Sequence, residues 1–305
     1  MGFSLMFLGL VQAAEPVSHW NPGVSQLGHE GLVSGELDSH AGLDWVATYS
    51  SEDTTGLAIR LSSMEEDWLV PLEQQVSSIR LRLAQWDEDA EQELLIGLPE
   101  YDGRGAAMVL DLGALQAAPD TLEEAASLWV DGSEDDAQFG WDLLLSECSG
   151  HSGKELLVSA PFSRLNGTVY AYASGTEASL LGNWSVKWES SARFGLALHS
   201  RVNQSSSELL VGSCDYDPDL QTSCASNGQL WQISLSQCEG TVQLNESEAI
   251  LGGLQGLPSD LKSLDEASIG SSPAVLWSPA GTKSAVGLSD PQILLELDAL
   301  EDSGA

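Results

Sequence analysis

The chain has 305 residues, of which 46 are Asp or Glu and 11 are Lys or Arg, so its formal net charge is −35; 42% of its residues are hydrophobic. That length and apolar content suffice for one large domain with a real core. The charge argues against a nucleic-acid binder and against docking on an anionic membrane surface, because both need clustered Lys and Arg, whereas calcium and cationic partners stay open.

Phe3 to Val11 is an apolar stretch broken only by Ser4 and Gly9. It falls short of the roughly 20 residues of a membrane-spanning helix, and Val11-Gln12-Ala13 fits the small-x-small rule of a signal-peptidase site. Residues 1–13 are therefore expected to be a secretory signal and residues 14–305 a single exported domain with no membrane insertion. The localisation implied is secreted, periplasmic or extracellular.

Beyond it the chain repeats itself. Asp44-Trp-Val-Ala-Thr-Tyr49 followed by Gly56-Leu-Ala-Ile-Arg60 is a first strand pair. Glu93-Leu-Leu-Ile-Gly-Leu-Pro99, Gly105 and Ala107-Met-Val-Leu110 form a second. The third is the fullest: Phe139-Gly140, then Glu155-Leu-Leu-Val-Ser-Ala-Pro161, then Gly167-Thr-Val-Tyr-Ala-Tyr172. The fourth has Phe194-Gly195, Glu208-Leu-Leu-Val-Gly-Ser-Cys214, Gly228 and Gln229-Leu-Trp-Gln-Ile233; the fifth keeps Ala274-Val-Leu-Trp-Ser-Pro279. Core strands thus start near 44, 93, 155, 208 and 274. A short continuous apolar run marks a strand covered on both faces, and an alternating run marks one with unequal faces. Trp129, Trp184 and Trp188 fall in the outer segments, where large rings fill the widening gap between sheets. The reading is all-β: a β-propeller of about five four-stranded blades. The segment Val17–Leu27 is expected to add an outer strand to the last blade and close the ring.

Phe139-Gly140 with Leu156-Leu-Val-Ser-Ala-Pro161 and Gly167-Thr-Val-Tyr-Ala-Tyr172 resembles the FG-GAP repeat of integrin α-subunit propellers and of secreted bacterial proteins. With degenerate copies the resemblance runs over residues 30–300, although integrin propellers have seven blades and five are countable here. It implies a calcium loop of the form D-x-D-x-D-G-x-x-D before a core strand, where alternate carboxylates gather hard oxygens. On that template repeat two offers Gln85-x-Asp87-x-Asp89-x-x-x-Glu93 and repeat one offers Glu36-x-Asp38-x-His40-x-x-x-Asp44, neither with the turn glycine. Asp87, Asp89 and Glu93 are candidate calcium ligands, against the plain alternative of a solvated acidic loop.

Asp215-Tyr-Asp217-Pro-Asp219 places three more carboxylates at alternating positions between Cys214 and Cys224, so Asp215, Asp217 and Asp219 are a second candidate set. Four cysteines permit three pairings; because Cys214 and Cys224 bracket a short loop, the preferred scheme is Cys214–Cys224 with Cys148–Cys238. Asn166, Asn183, Asn203 and Asn245 stand in N-x-S/T sequons.

No catalytic signature emerges. Gly103-Arg-Gly105 lacks the last glycine of a dinucleotide fingerprint and precedes a strand, and Gly150-His-Ser152-Gly153 is no nucleophile elbow. His40 and His151 share a repeat position that suits an ordinary polar loop residue. The leading expectation is a non-enzymatic binding or adhesion module that presents rim loops to a protein or glycan, with calcium assistance. Tyr101, Tyr216 and Trp277 are candidate contacts, with ordinary propeller packing as the plainer role. The alternative is a hydrolase or lyase acting on polysaccharides, which would need convergent His, Asp or Tyr side chains in one deep pocket.

Overall fold

Asp44–Ser50, Glu93–Leu98, Glu155–Ala160, Ser206–Asp217 and Ser272–Pro279 are the second strands of five successive sheets. The computed structural model describes residues 27–28, 31–251 and 261–297, apart from 65, 88, 116, 149–152, 165, 176–177, 188–192, 204–205, 218–221, 237, 246–248, 270–271, 280–284 and 291–292. For 201–206, 214–228, 249–251 and 261–297 it describes the backbone alone. The proposed signal at 1–13 and all of Val17–Leu27 except Leu27 lie outside the described residues.

Sheet one runs β1 (Leu32–Gly35), β2 (Asp44–Ser50), β3 (Thr55–Arg60) and β4 (Trp68–Pro71). Sheet two runs β5 (Arg80–Ala84), β6 (Glu93–Leu98), β7 (Ala106–Leu110) and β8 (Leu128–Asp131), with a one-turn helix, α1 (Leu122–Ala125), before its last strand. Sheet three has β9 (Leu143–Ser146), β10 (Glu155–Ala160), β11 (Thr168–Ala173) and β12 (Ser179–Lys187). Sheet four has β13 (Ala197–Asn203), β14 (Ser206–Asp217) and β15 (Thr222–Ser234), then an excursion, β16 (Gly240–Asn245), and finally β17 (Ala249–Leu251). Sheet five is β18 (Leu261–Ile269), β19 (Ser272–Pro279), β20 (Ala285–Asp290) and β21 (Ile293–Leu297). Each is an antiparallel meander in chain order. The first strands of consecutive sheets adjoin: β1 with β5, β5 with β9, β9 with β13, β13 with β18.

The continuous apolar runs follow from this layering. In β6, Leu94 and Ile96 join a core with Val46, Leu57 and Ile59 of sheet one, while Leu95 faces the other way, into a core with Leu156 and Val158 of sheet three. In β10, Leu157 in turn joins Val169, Trp184, Leu209 and Val211, between sheets three and four. Successive side chains point to opposite faces of a strand, so a strand sandwiched between two neighbours needs apolar residues at every position. Burial of each such side chain contributes about 2 kcal/mol, and a single sheet standing alone would forfeit that on both faces.

The Phe-Gly element is the latch between sheets. Phe139 ahead of sheet three bridges to Gly105 ahead of β7, its N–H donating to Arg104 O (3.1 Å), and its ring meets Tyr170 at 5.6 Å. Phe194 ahead of sheet four repeats this against Gly167, with its N–H on Asn166 O (2.9 Å) and its ring 5.9 Å from Trp231. Gly105 (φ +91°) and Gly167 (φ +96°) adopt left-handed backbone, and a Cβ there would stand 2.1 and 2.2 Å from the Phe139 and Phe194 carbonyl oxygens. Only glycine admits that approach.

Two features depart from a simple repeat. β16 leaves sheet four to pair in parallel with β12, Gly182 opposite Gly240 through Lys187 opposite Asn245. Cys238, just before β16, is disulfide-bonded to buried Cys148 after β9 (Cα–Cα 5.8 Å), as expected. The segment expected to be a loop between Cys214 and Cys224 is instead largely a hairpin ladder, with Asp215 opposite Ser226 and Asp217 opposite Thr222. The side chains of Cys214, Cys224, Asp215 and Asp217, and the whole of Asp219, lie outside the described residues. Among the described residues no helix is long and apolar enough to cross a membrane.

Candidate metal centre

Each of the first three sheets joins its first strand to its second through a loop ending on an acidic residue, and that residue is buried: Asp44, Glu93 and Glu155 are each at most 1% exposed. Each accepts a hydrogen bond from the backbone N–H seven residues earlier. Leu37 donates to Asp44 Oδ2 (2.6 Å), Trp86 to Glu93 Oε2, and Cys148 to Glu155 Oε2 (2.7 Å). The acidic residue before each apolar run thus closes a loop and ties it to the strand.

In the β5–β6 loop a cluster forms around this tie. Asp87, Asp89 and Glu93 place carboxylate oxygens within 4.8 Å of one another, and among the described residues this is the only such group of three or more metal-ligating side chains. The loop shapes itself: Asp87 Oδ1 accepts the Asp89 N–H (2.9 Å), Asp89 Oδ1 accepts the Glu91 N–H (3.0 Å), and Gln85 Nε2 donates to Asp89 O (2.7 Å). Lys154, at the foot of β10, reaches across and donates to Gln85 O (2.5 Å). Asp87 and Asp89 are exposed and Glu93 is enclosed.

The electrostatics leave a deficit. Burial pushes the Glu93 carboxyl above its usual range, the Trp86 N–H opposes this, and Asp87 and Asp89 push further upward. Asp89 is also raised, by desolvation and then by Asp87. Glu93 Oε1 is enclosed and has no hydrogen-bond partner. A buried carboxylate oxygen without a donor is costly. A hard divalent cation would supply what three crowded carboxylates lack, and oxygen-only donors suit calcium. Ala90 stands where the D-x-D-x-D-G-x-x-D pattern has glycine, yet the loop turns without it, so the residues fit the ion.

The equivalent loop of sheet one is satisfied differently. Asp44 Oδ2 also takes the Asp38 N–H (3.2 Å) and Oδ1 takes the Ser62 N–H (2.6 Å). Asp38 accepts from the Ser63 hydroxyl and the His40 N–H (2.8 Å), with His40 Nδ1 at 3.7 Å. Burial, which would raise Asp38, is outweighed by these hydrogen bonds, and its carboxyl lies below the usual range. Residues 149–152 of the third loop, including His151, lie outside the described residues.

Of the candidate contact aromatics, Tyr101 is half-buried and packs edge-on to Trp129 (5.1 Å) against the core of sheets one and two, so it serves packing. The side chains of Tyr216 and Trp277 lie outside the described residues. Sequence reading missed Lys154, and also Arg82 and Asp142. Asp142 accepts from the Leu143 N–H (2.8 Å) and the Leu198 N–H (2.7 Å), and its Oδ1 lies 3.8 Å from Arg82 Nη1. No signal in the sequence marks these pairs, because their partners lie on different sheets. No family model matches the chain, and no curated protein matches it.

Proposed function

We propose that the chain is an exported, non-enzymatic binding module: a five-bladed β-propeller of FG-GAP type whose β5–β6 loop takes calcium and whose rim loops meet a protein or glycan. Five consecutive meanders with adjoining first strands and the recurrent Phe-Gly latch support the propeller. The buried disulfide supports export to an oxidising compartment. The observation that carries the calcium reading is the enclosed, unpartnered Glu93 Oε1 within a cluster of three carboxylates. Asp87, Asp89 and Glu93 would hold the ion, which would supply charge neutralisation and fix the loop beside β10.

Thermal denaturation in EDTA against millimolar calcium tests this. At ten times the dissociation constant, linkage gives about 1.4 kcal/mol, or roughly 3–5 °C for a domain of this size. Glu93→Gln abolishes the rise. No calcium-dependent change at 10 mM in the unaltered protein overturns the calcium site.

A further inference from the structure

We propose that the arginine-aromatic row where β5, β9 and β13 begin is a recognition site for a carboxylate side chain of a peptide partner. This deepens the binding-module reading by naming the partner's chemistry. The row draws on three successive sheets. Arg80, first residue of β5, lies over Trp141 with its Cζ 4.8 Å from the ring centroid; Trp141 lies 5.9 Å from Phe162; Arg193, ahead of β13, lies over Phe162 at 4.2 Å. All four side chains are partly buried and reach solvent. The Trp141 ring is pinned by its Nε1–H, which donates to Leu196 O (3.1 Å).

The charge here runs against the rest of the molecule. In a chain with 11 basic residues against 46 acidic ones, Arg80 and Arg82 stand on one face of β5, and Arg193 joins them from the next sheet but one. The nearby carboxylate, Asp142, is committed to two backbone N–H groups and to Arg82, which itself donates to Leu143 O (2.7 Å). Arg80 Nε is enclosed and finds no acceptor, and no ion pair to Arg80 forms among the described residues. A guanidinium held over a ring still has N–H groups to offer a planar two-oxygen acceptor, and a carboxylate fits that fork.

The ligand is further defined by what is already occupied. Each ring carries a guanidinium on it and has the other ring beside it, which leaves few open faces for stacking a sugar, while Arg80 keeps an unpartnered N–H. The net charge of −35 repels a polyanion at long range, which favours a peptide with one or two acidic side chains in a neutral sequence. Charges farther apart than about 10 Å are screened at 0.1 M salt while close contacts persist, so moderate salt should strengthen this binding.

The test uses the full chain in EDTA, so that its result is independent of the calcium site. A Gly/Ser nonapeptide carrying two adjacent Glu residues is titrated calorimetrically, beside the same peptide with Gln in their place. The expected result is at least tenfold tighter binding of the Glu peptide, strengthened between 10 and 150 mM salt. Arg80→Gln and Arg193→Gln each lose at least tenfold, and Arg80→Lys recovers only part. Arg104→Gln, whose arginine is paired with Asp102 elsewhere, changes nothing. Arg80→Lys keeps the charge and the ring contact, so a folded variant is available if the glutamine form is unstable. Equal binding of the two peptides, no binding at millimolar peptide, or Glu-peptide affinity unchanged in the Arg80→Gln, Arg193→Gln double variant overturns the proposal. Preference for a galacturonate oligosaccharide over the Glu peptide overturns it as a peptide site.

Discussion

In the β1–β2 loop Asp44 receives three backbone N–H groups, from Leu37, Asp38 and Ser62; in the β5–β6 loop Glu93 receives one from the loop, that of Trp86, and leaves an enclosed oxygen bare. Both residues start a second strand and both are buried. The difference lies in what the neighbouring chain supplies. Sheet one brings Ser62 and Ser63 from beyond β3 onto its loop, whereas sheet two surrounds Glu93 with Asp87 and Asp89. The third loop adopts yet another solution: the residue donating its N–H to Glu155 is Cys148, which is covalently tied to Cys238. One hairpin design is thus held by hydrogen bonds, by carboxylates suited to a cation, and by a disulfide. A buried acid at this position is a structural requirement first, and becomes a candidate metal ligand only where the protein's own donors are short.

Removing each device separates them. The largest effect is expected for Cys148→Ala with Cys238→Ala, because the bridge spans 90 residues and closing a loop of that length stabilises by about 4–5 kcal/mol; denaturant melts measure it. Hydrogen exchange should then rise along β16, whose parallel pairing with β12 is anchored beside the bridge. Asp44→Ala comes next, at about 3 kcal/mol, because it strands backbone donors that cost about 1–3 kcal/mol each when buried. Equal losses for Asp44→Ala and Glu93→Ala in EDTA would erase the distinction between the two loops. Glu93→Gln is expected to be neutral or stabilising by about 1 kcal/mol without calcium, since it removes a buried charge crowded by two others.

The second strands were legible in the sequence for a physical reason. Burial on both faces leaves an uninterrupted apolar run, so starts near 44, 93, 155, 208 and 274 agree with β2, β6, β10, β14 and β19 to within two residues. First strands such as Arg80–Ala84, half-buried along their whole length, carry no comparable period. β16 is almost wholly exposed, so it has no hydrophobic signature, and its position depends on a partner strand about 60 residues away. The 214–224 segment was misread because Cys, Asp and Pro punctuate it like a loop, while its backbone continues the ladder to Asp217. The spacing of Asp87, Asp89 and Glu93 announced the cluster, because alternate positions in a tight loop share a side. Its electrostatic deficit and the Lys154 contact from sheet three arise only on packing.

The smallest effect is the most discriminating, because the two loops should respond to pH with opposite sign. Asp38 is held below its ordinary value. A carboxyl depressed in the folded state contributes stability that is present above its unfolded pKa and is lost as pH falls through the folded one. Glu93 is raised by burial and by its acidic neighbours. Its folded form holds a proton that the unfolded form has released, so stability declines as pH climbs from the unfolded value, 4.5, through the folded one. In EDTA, melting curves of Glu93→Gln and the unaltered protein should therefore coincide near pH 4 and separate above it, with the variant more stable. Asp38→Asn should show the reverse: a deficit near neutrality that closes below pH 3.8. Saturating calcium should cancel the Glu93 difference, since the ion neutralises the charge that the variant removes, and should leave the Asp38 curve where it was. If calcium shifts both curves alike, the ion acts on the general charge of an acidic surface, and the two loops are one device after all.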